Sequence, residues 1–89
     1  MKKSSNFSEK LHSIKGTEKS LYLVNDECNT IEHIINCLVA ICDHNELQAE
    51  QCALIAHYNG VCEIAIDKHE FLIPLQEDLV LYGLDVKII

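Results

Sequence analysis

The sequence predicts an α+β fold, a small sheet with helices packed on one of its faces. Three observations carry that prediction. Apolar residues recur with helical spacing in three segments, they alternate or cluster like strands in three others, and the six segments interleave as strand, helix, helix, strand, helix, strand. At 89 residues the chain is one domain's worth. A domain of this size buries only about 60–70% of its unfolded surface, which allows one modest core and no deep enzyme cleft. Hydrophobic residues make up 48% of the chain, so it is globular rather than disordered.

The first strand is read from the apolar run Leu21-Tyr22-Leu23-Val24, after which Asn25-Asp26 supplies turn chemistry. From Thr30 the apolar positions Ile31, Ile34, Ile35, Leu38, Val39, Ile41 and Cys42 define an amphipathic helix, opened by a capping-box pattern of Asn29 with Glu32. Asp43-His44-Asn45 breaks it. Asn45 with Gln48 is a second such pattern, for a helix from Glu46 to about Asn59 that Gly60 ends. Val61–Ile66 alternates as a strand. Asp67 with Glu70 is a third capping pattern, for a last helix to about Tyr82. Pro74 conflicts with that start, so either the helix begins near Ile73 with Pro74 as its first residue or it is kinked there. After Gly83, the residues Leu84, Val86 and Ile88 alternate as a final strand.

Charge divides the chain. Residues 1–19 carry five lysines against two glutamates, a net of +3, and lack the periodic apolar positions a core needs. They read as a flexible N-terminal tail ahead of a folded domain over 20–89. That domain carries two lysines against twelve acids, a net of −10, and has no arginine. Such a surface is a poor nucleic-acid binder, because phosphate neutralisation needs Lys and Arg, and it favours a cationic ligand or a basic partner surface. No apolar run approaches the roughly 20 residues that span a bilayer, and no apolar segment follows the N-terminal lysines, so neither a membrane segment nor a signal peptide is expected. Five cysteines, an odd number without Cys-x-x-Cys, argue against a disulfide framework and for a cytoplasmic protein. Of these, Cys37, Cys52 and Cys62 lie within or beside apolar runs and read as small core residues. His33 and Cys37 share a helix face, but a structural zinc site wants four ligands and no second pair has matching spacing, so no metal is expected.

The loop Asn25–Thr30 bears the densest polar chemistry. Its plain reading is a connector with a helix cap; its sharper reading is a site in which two acids and an Asn are held on a short pinned loop. Leu23-Val24-Asn25-Asp26-Glu27, Asn29-Thr30-Ile31-Glu32, Gln48-Ala49 and His57-Tyr58-Asn59-Gly60 together resemble the ClpS family, adaptors that hand N-end-rule substrates to the Clp ATP-dependent protease. The match runs ungapped from Leu23 to about Ile66, and Gly83-Leu84 also fits; Asn25 and His57 stand 32 positions apart.

The resemblance implies a ClpS-like domain with a three-stranded antiparallel sheet and three helices, no enzymatic activity and no cofactor. It implies partners in the N-terminal segments of substrate proteins and in the N-terminal domain of a Clp AAA+ chaperone, with neither nucleic acid nor membrane involved. It also implies site residues. Asn25, Asp26 and His57 would hold a substrate's α-amino group, supported in the loop by Glu27 and Asn29. Ile31, Ile34, Ala53, Ala56 and Leu84 would line the pocket for its first side chain. The chemistry is consistent, since an ammonium offers three donors while an amide oxygen, a carboxylate and a neutral imidazole nitrogen all accept. A histidine at a helix end is by itself more often a core or capping residue than a ligand, and its occurrence with Asn25-Asp26 reverses that weighting.

The sequence departs from the family pattern at several places. Glu27 replaces the usual second Asp, Cys28 an aromatic or similar residue, Thr30 the helix-opening Pro, and Ala53 a larger residue. The last helix is about six residues short of the family's, which weakens the case for chaperone docking and gives the fold a likeness to the C-terminal domain of the ribosomal stalk protein, a ClpS-like fold with different partners. A ClpS-like protein-interaction domain without recognition of substrate N-termini is the second reading. For an enzyme, Cys28 with His57 is the only conceivable nucleophile–base pair, and it stands in no recognised catalytic context.

Overall fold

The computed structural model describes residues 17–89. Its elements are β1 (Glu18–Val24), α1 (Ile31–Cys42), α2 (Glu46–Asn59), β2 (Val61–Lys68), α3 (His69–Leu81) and β3 (Asp85–Ile88). The three strands form one antiparallel sheet in the order β2-β1-β3, so the first strand of the chain lies at its centre. This is the expected α+β architecture.

Strand alternation decides which sheet face meets the helices. On β1, Leu21 and Leu23 are buried while Tyr22 and Val24 are half-buried, and on β3 Val86 is buried between exposed Asp85 and Lys87. The inward set joins Ile34, Cys37 and Leu38 of α1, Ala49, Cys52, Ala53 and Ala56 of α2, and Leu72 and Leu79 of α3 in one contiguous core. Leu21, Leu23, Leu38, Leu72 and Leu79 are essentially removed from solvent. Each contributes about 1.5–3 kcal/mol of hydrophobic free energy.

The β1–β2 ladder shifts register between Leu21 and Tyr22, which face Ala65 and Glu63, so Ile64 has no partner on β1. Its carbonyl instead accepts a hydrogen bond from His44 Nε2 at 2.9 Å, a buried side chain from the turn between α1 and α2. A carbonyl partner requires a proton on Nε2, and Nδ1 is buried with no hydrogen-bond partner among the described residues. The bulge thus supplies an acceptor that pins the turn against the sheet.

Helix ends follow local chemistry in some places and not in others. Asn45 caps α2, its side chain accepting from Gln48 N at 2.8 Å, and Gly60 closes it at φ 95°. The cap of α1 is Thr30, whose hydroxyl accepts from His33 N at 3.1 Å, and not the expected Asn29, whose side chain is engaged elsewhere. Asp43 ends α1 with φ 58°, a left-handed conformation that Asp tolerates. The capping box of Asp67 with Glu70 does not form, because pairing with β1 carries β2 on to Lys68, opposite Glu18. Consequently α3 starts at His69, not near Ile73, and Pro74 is inside it as the sixth residue. The same pairing places Glu18 and Lys19, expected in the tail, within β1. The rest of the expected tail, residues 1–16, lies outside the described residues. At the end of α3, Leu84 N bonds Leu79 O at 3.0 Å and Gly83 N bonds Val80 O at 2.9 Å, with Gly83 at φ 90°. That is a Schellman closure, and Leu79 and Leu84 supply the buried apolar contact that accompanies it.

Candidate functional site

The site is built on the loop between β1 and α1. Asp26 organises it. Its Oδ1 accepts from the backbone N–H of Cys28 at 2.9 Å and of Asn29 at 3.0 Å, and the Asn29 amide nitrogen donates to Oδ1 at 3.1 Å and Oδ2 at 3.0 Å. A carboxylate has about four lone-pair sites, so these contacts use much of its accepting capacity inside the loop. The same Asn29 amide donates to Gly83 O at 2.8 Å, tying the loop to the closure of α3. Asn29 is thus held by Asp26 and Gly83, and the cap bond to His33 N is made by Thr30.

The loop's other anchor is at its start. Asn25 N donates to Gly60 O at 2.8 Å, joining the loop to the turn three residues beyond His57. Asn25 and His57 are thereby carried to the same end of the molecule, both exposed. The His57 ring meets that of Tyr58 edge-on, with centroids 4.9 Å apart. Glu27 and Cys28 are exposed on the loop, and no hydrogen bond joins Cys28 to His57 among the described residues.

Of the residues expected to line a side-chain pocket, Ile34, Ala53, Ala56 and Leu84 are buried, with exposures of 7%, 2%, 2% and 3%, and Ile31 is half-buried against them. They come from the start of α1, the second half of α2 and the approach to β3, and all belong to or pack against the one core cluster. Leu84 directly follows Gly83, so the Asn29 bond fixes the loop and this group against each other.

Surface concavities among the described residues are lined by other residues. One, about 540 Å³ between α1 and α3, has His33, Cys37, Asp78 and Tyr82 in its walls. There His33 Nε2 donates to Tyr82 O at 2.8 Å and lies 3.6 Å from Cys37 Sγ. No group of three His, Cys, Asp or Glu side chains able to hold a metal is found among the described residues. A second, about 450 Å³, is bordered by Thr30 and Glu32. A third, about 470 Å³, lies across the sheet and is lined by Tyr22, Val24, Val61, Lys87 and Ile89. No helix among the described residues is long and apolar enough to cross a membrane.

Sequence reasoning missed three features here: the Asn29–Gly83 bridge, the His44–Ile64 contact and a sulfur–sulfur contact between Cys52 and Cys62. The first two depend on a closure 54 positions away and on a bulge, neither of which leaves a local pattern. For the third, the only available signal was that both cysteines fall on inward-reading positions of adjacent elements.

The family model described as "ATP-dependent Clp protease adaptor protein ClpS" matches residues 17–84. No curated protein matches the chain. Among solved structures, that of Agrobacterium tumefaciens ClpS2 bound to L-phenylalaninamide superposes with a TM-score of 0.76 at 18% sequence identity, covering 82% of this chain and 95% of that one. At that identity the likeness is one of fold.

Proposed function

Since this chain belongs to the ClpS family of Clp protease adaptors, we propose that it binds the N-terminal residue of substrate proteins and delivers them to a Clp AAA+ unfoldase. The ligand it takes is a free α-amino group joined to a large hydrophobic side chain. Asn25, Asp26 and His57 accept from the ammonium, Glu27 and Asn29 support the loop, and Ile31, Ile34, Ala53, Ala56 and Leu84 receive the side chain. The observation that carries this reading is the Asn25–Gly60 bond, which brings the Asn-Asp loop to the end of the helix that bears His57. It is supported by the related ClpS2, solved with phenylalaninamide, a molecule with a free α-amino group and a benzyl side chain. Each charge-assisted bond to an ammonium contributes about 1.5–3 kcal/mol. Binding and hand-over make and break no covalent bond, so the reading needs no cofactor, and its setting is the cytoplasm.

Two observations favour the second reading, a ClpS-like interaction domain that does not recognise N-termini. The Asp26 carboxylate already accepts hydrogen bonds within its own loop, and four of the five pocket residues are closed into the core. One titration separates the two readings. Peptides that differ only in their first residue are compared with N-acetylated copies, which lose the charge and donors but keep the side chain. Tight binding of free Phe, Tyr, Trp or Leu N-termini, abolished by acetylation, supports the adaptor reading. Equal affinity for free and acetylated peptides overturns it in favour of the second.

A further inference from the structure

Two thiols that the proposed peptide site does not use touch across α2 and β2. Cys52 is buried on the inner face of α2, and Cys62, half-buried on β2, is on the other side of the Asn59-Gly60 turn. The Cys52 thiol donates to Cys62 Sγ with the sulfurs 2.7 Å apart, against about 2.05 Å in a disulfide. The sulfurs are already within about 0.7 Å of bonding distance. Cys42 is nearby and competes in principle, but the sulfur contact is made by Cys62.

From this juxtaposition we propose that Cys52 and Cys62 are a reversible dithiol–disulfide pair, oxidised by low-molecular-weight disulfides. The order of events follows from exposure. Cys62 is the more accessible of the two, half-buried where Cys52 is buried, and burial, then the hydrogen bond with Cys62, push the Cys52 thiol up and keep it protonated. The Cys62 thiolate attacks one sulfur of the oxidant, forming a mixed disulfide and releasing the first small thiolate. Cys52 then attacks the Cys62 sulfur. The second small thiolate leaves and the Cys52 proton passes to solvent. Two protein thiols are oxidised to one disulfide, and one small disulfide is reduced to two thiols. The bond ties α2 to β2, five residues before His57 on the helix and opposite Leu23 on the central strand. In a reducing compartment such bonds are transient, as in redox-sensing proteins.

The test uses the full chain, folded and reduced, then exposed to oxidised glutathione, with remaining thiols alkylated before peptide mapping by mass spectrometry. The expected product is a Cys52–Cys62 cross-link that dithiothreitol reverses and that raises the melting temperature by several degrees, while the exposed Cys28 takes up glutathione and reports that the oxidant acted. In Cys52→Ala, Cys62 should accumulate as the glutathione mixed disulfide. In Cys62→Ala, Cys52 should stay reduced. A wild-type chain that ends as a mixed disulfide at Cys62, that pairs either cysteine with Cys42, or that leaves both free while Cys28 reacts overturns the proposal. The wild-type map decides the matter even if a variant fails to fold.

Discussion

Asp26 sits where two roles compete, and single substitutions separate them. Removing its carboxylate by Asp26→Ala deletes the loop's internal acceptor as well as the charge proposed to face an ammonium, so both stability and peptide affinity should fall, each by about 1–3 kcal/mol. Asn29→Ala removes the bonds to Asp26 and Gly83 but leaves the carboxylate in place, and should lower stability by a similar amount. If Asp26 contacts the ligand, its replacement weakens binding clearly more than the Asn29 change does; matched losses in paired melts and titrations would assign Asp26 a purely structural role. The pocket has a comparable test. Ala53 is 2% exposed, so Ala53→Met overpacks the core at a cost of about 1–3 kcal/mol in stability. It should also reduce affinity for Trp- and Phe-initiated peptides more than for Leu. Ile31, stiff at its first side-chain torsion, should disfavour Val- and Ile-initiated peptides throughout. An unchanged Trp-to-Leu ratio would remove Ala53 from the pocket.

At the scale of elements, Pro74 is the clearest irregularity. Inside α3 it cannot donate to the Glu70 carbonyl, and Pro in a helix interior is about 3 kcal/mol less favourable than Ala. Its stiffening of the unfolded chain offsets part of that. Pro74→Ala should therefore raise unfolding free energy by about 1–2 kcal/mol in denaturant titration, and a loss would mean that the proline ring has a packing role. Asn45→Ala, which only uncaps α2, should cost about 1 kcal/mol. These elements also show what could be read from the sequence. The Asn45 cap was legible because donor and acceptor lie three residues apart with no outside competitor. The Asn29 cap was misread because both Asn29 and Thr30 can cap, and a distant carbonyl claims Asn29. The start of β1 was missed because Glu18 and Lys19 give no apolar signal. Backbone pairing holds them in the ladder, where they face Lys68 and Asp67, residues of opposite charge. The end of β2 was missed for the same reason. The candidate site was legible as a set of residue types and spacings, whereas the hydrogen bonds that shape it were not.

The whole molecule pairs an acidic domain with a basic N-terminal stretch, +3 over residues 1–19 against −10 over the remainder. We expect residues 1–16 of that stretch to serve delivery and not folding. A chain beginning at Thr17, which keeps all of β1, should retain the melting temperature and peptide affinity of the full chain while losing substrate hand-over to the unfoldase; a large drop in melting temperature would show that the removed residues pack on the domain. Finally, the bond from Asn29 to Gly83 has a consequence for biosynthesis. The loop leaves the ribosome 54 residues before the carbonyl that braces it. At about 5–20 residues per second that interval is roughly 3–10 s. Until it ends, a nascent chain can form the loop's local Asp26 bonds but not the brace to Gly83. On the proposed function, a half-made copy would lack a braced site for N-termini until the last strand is reached.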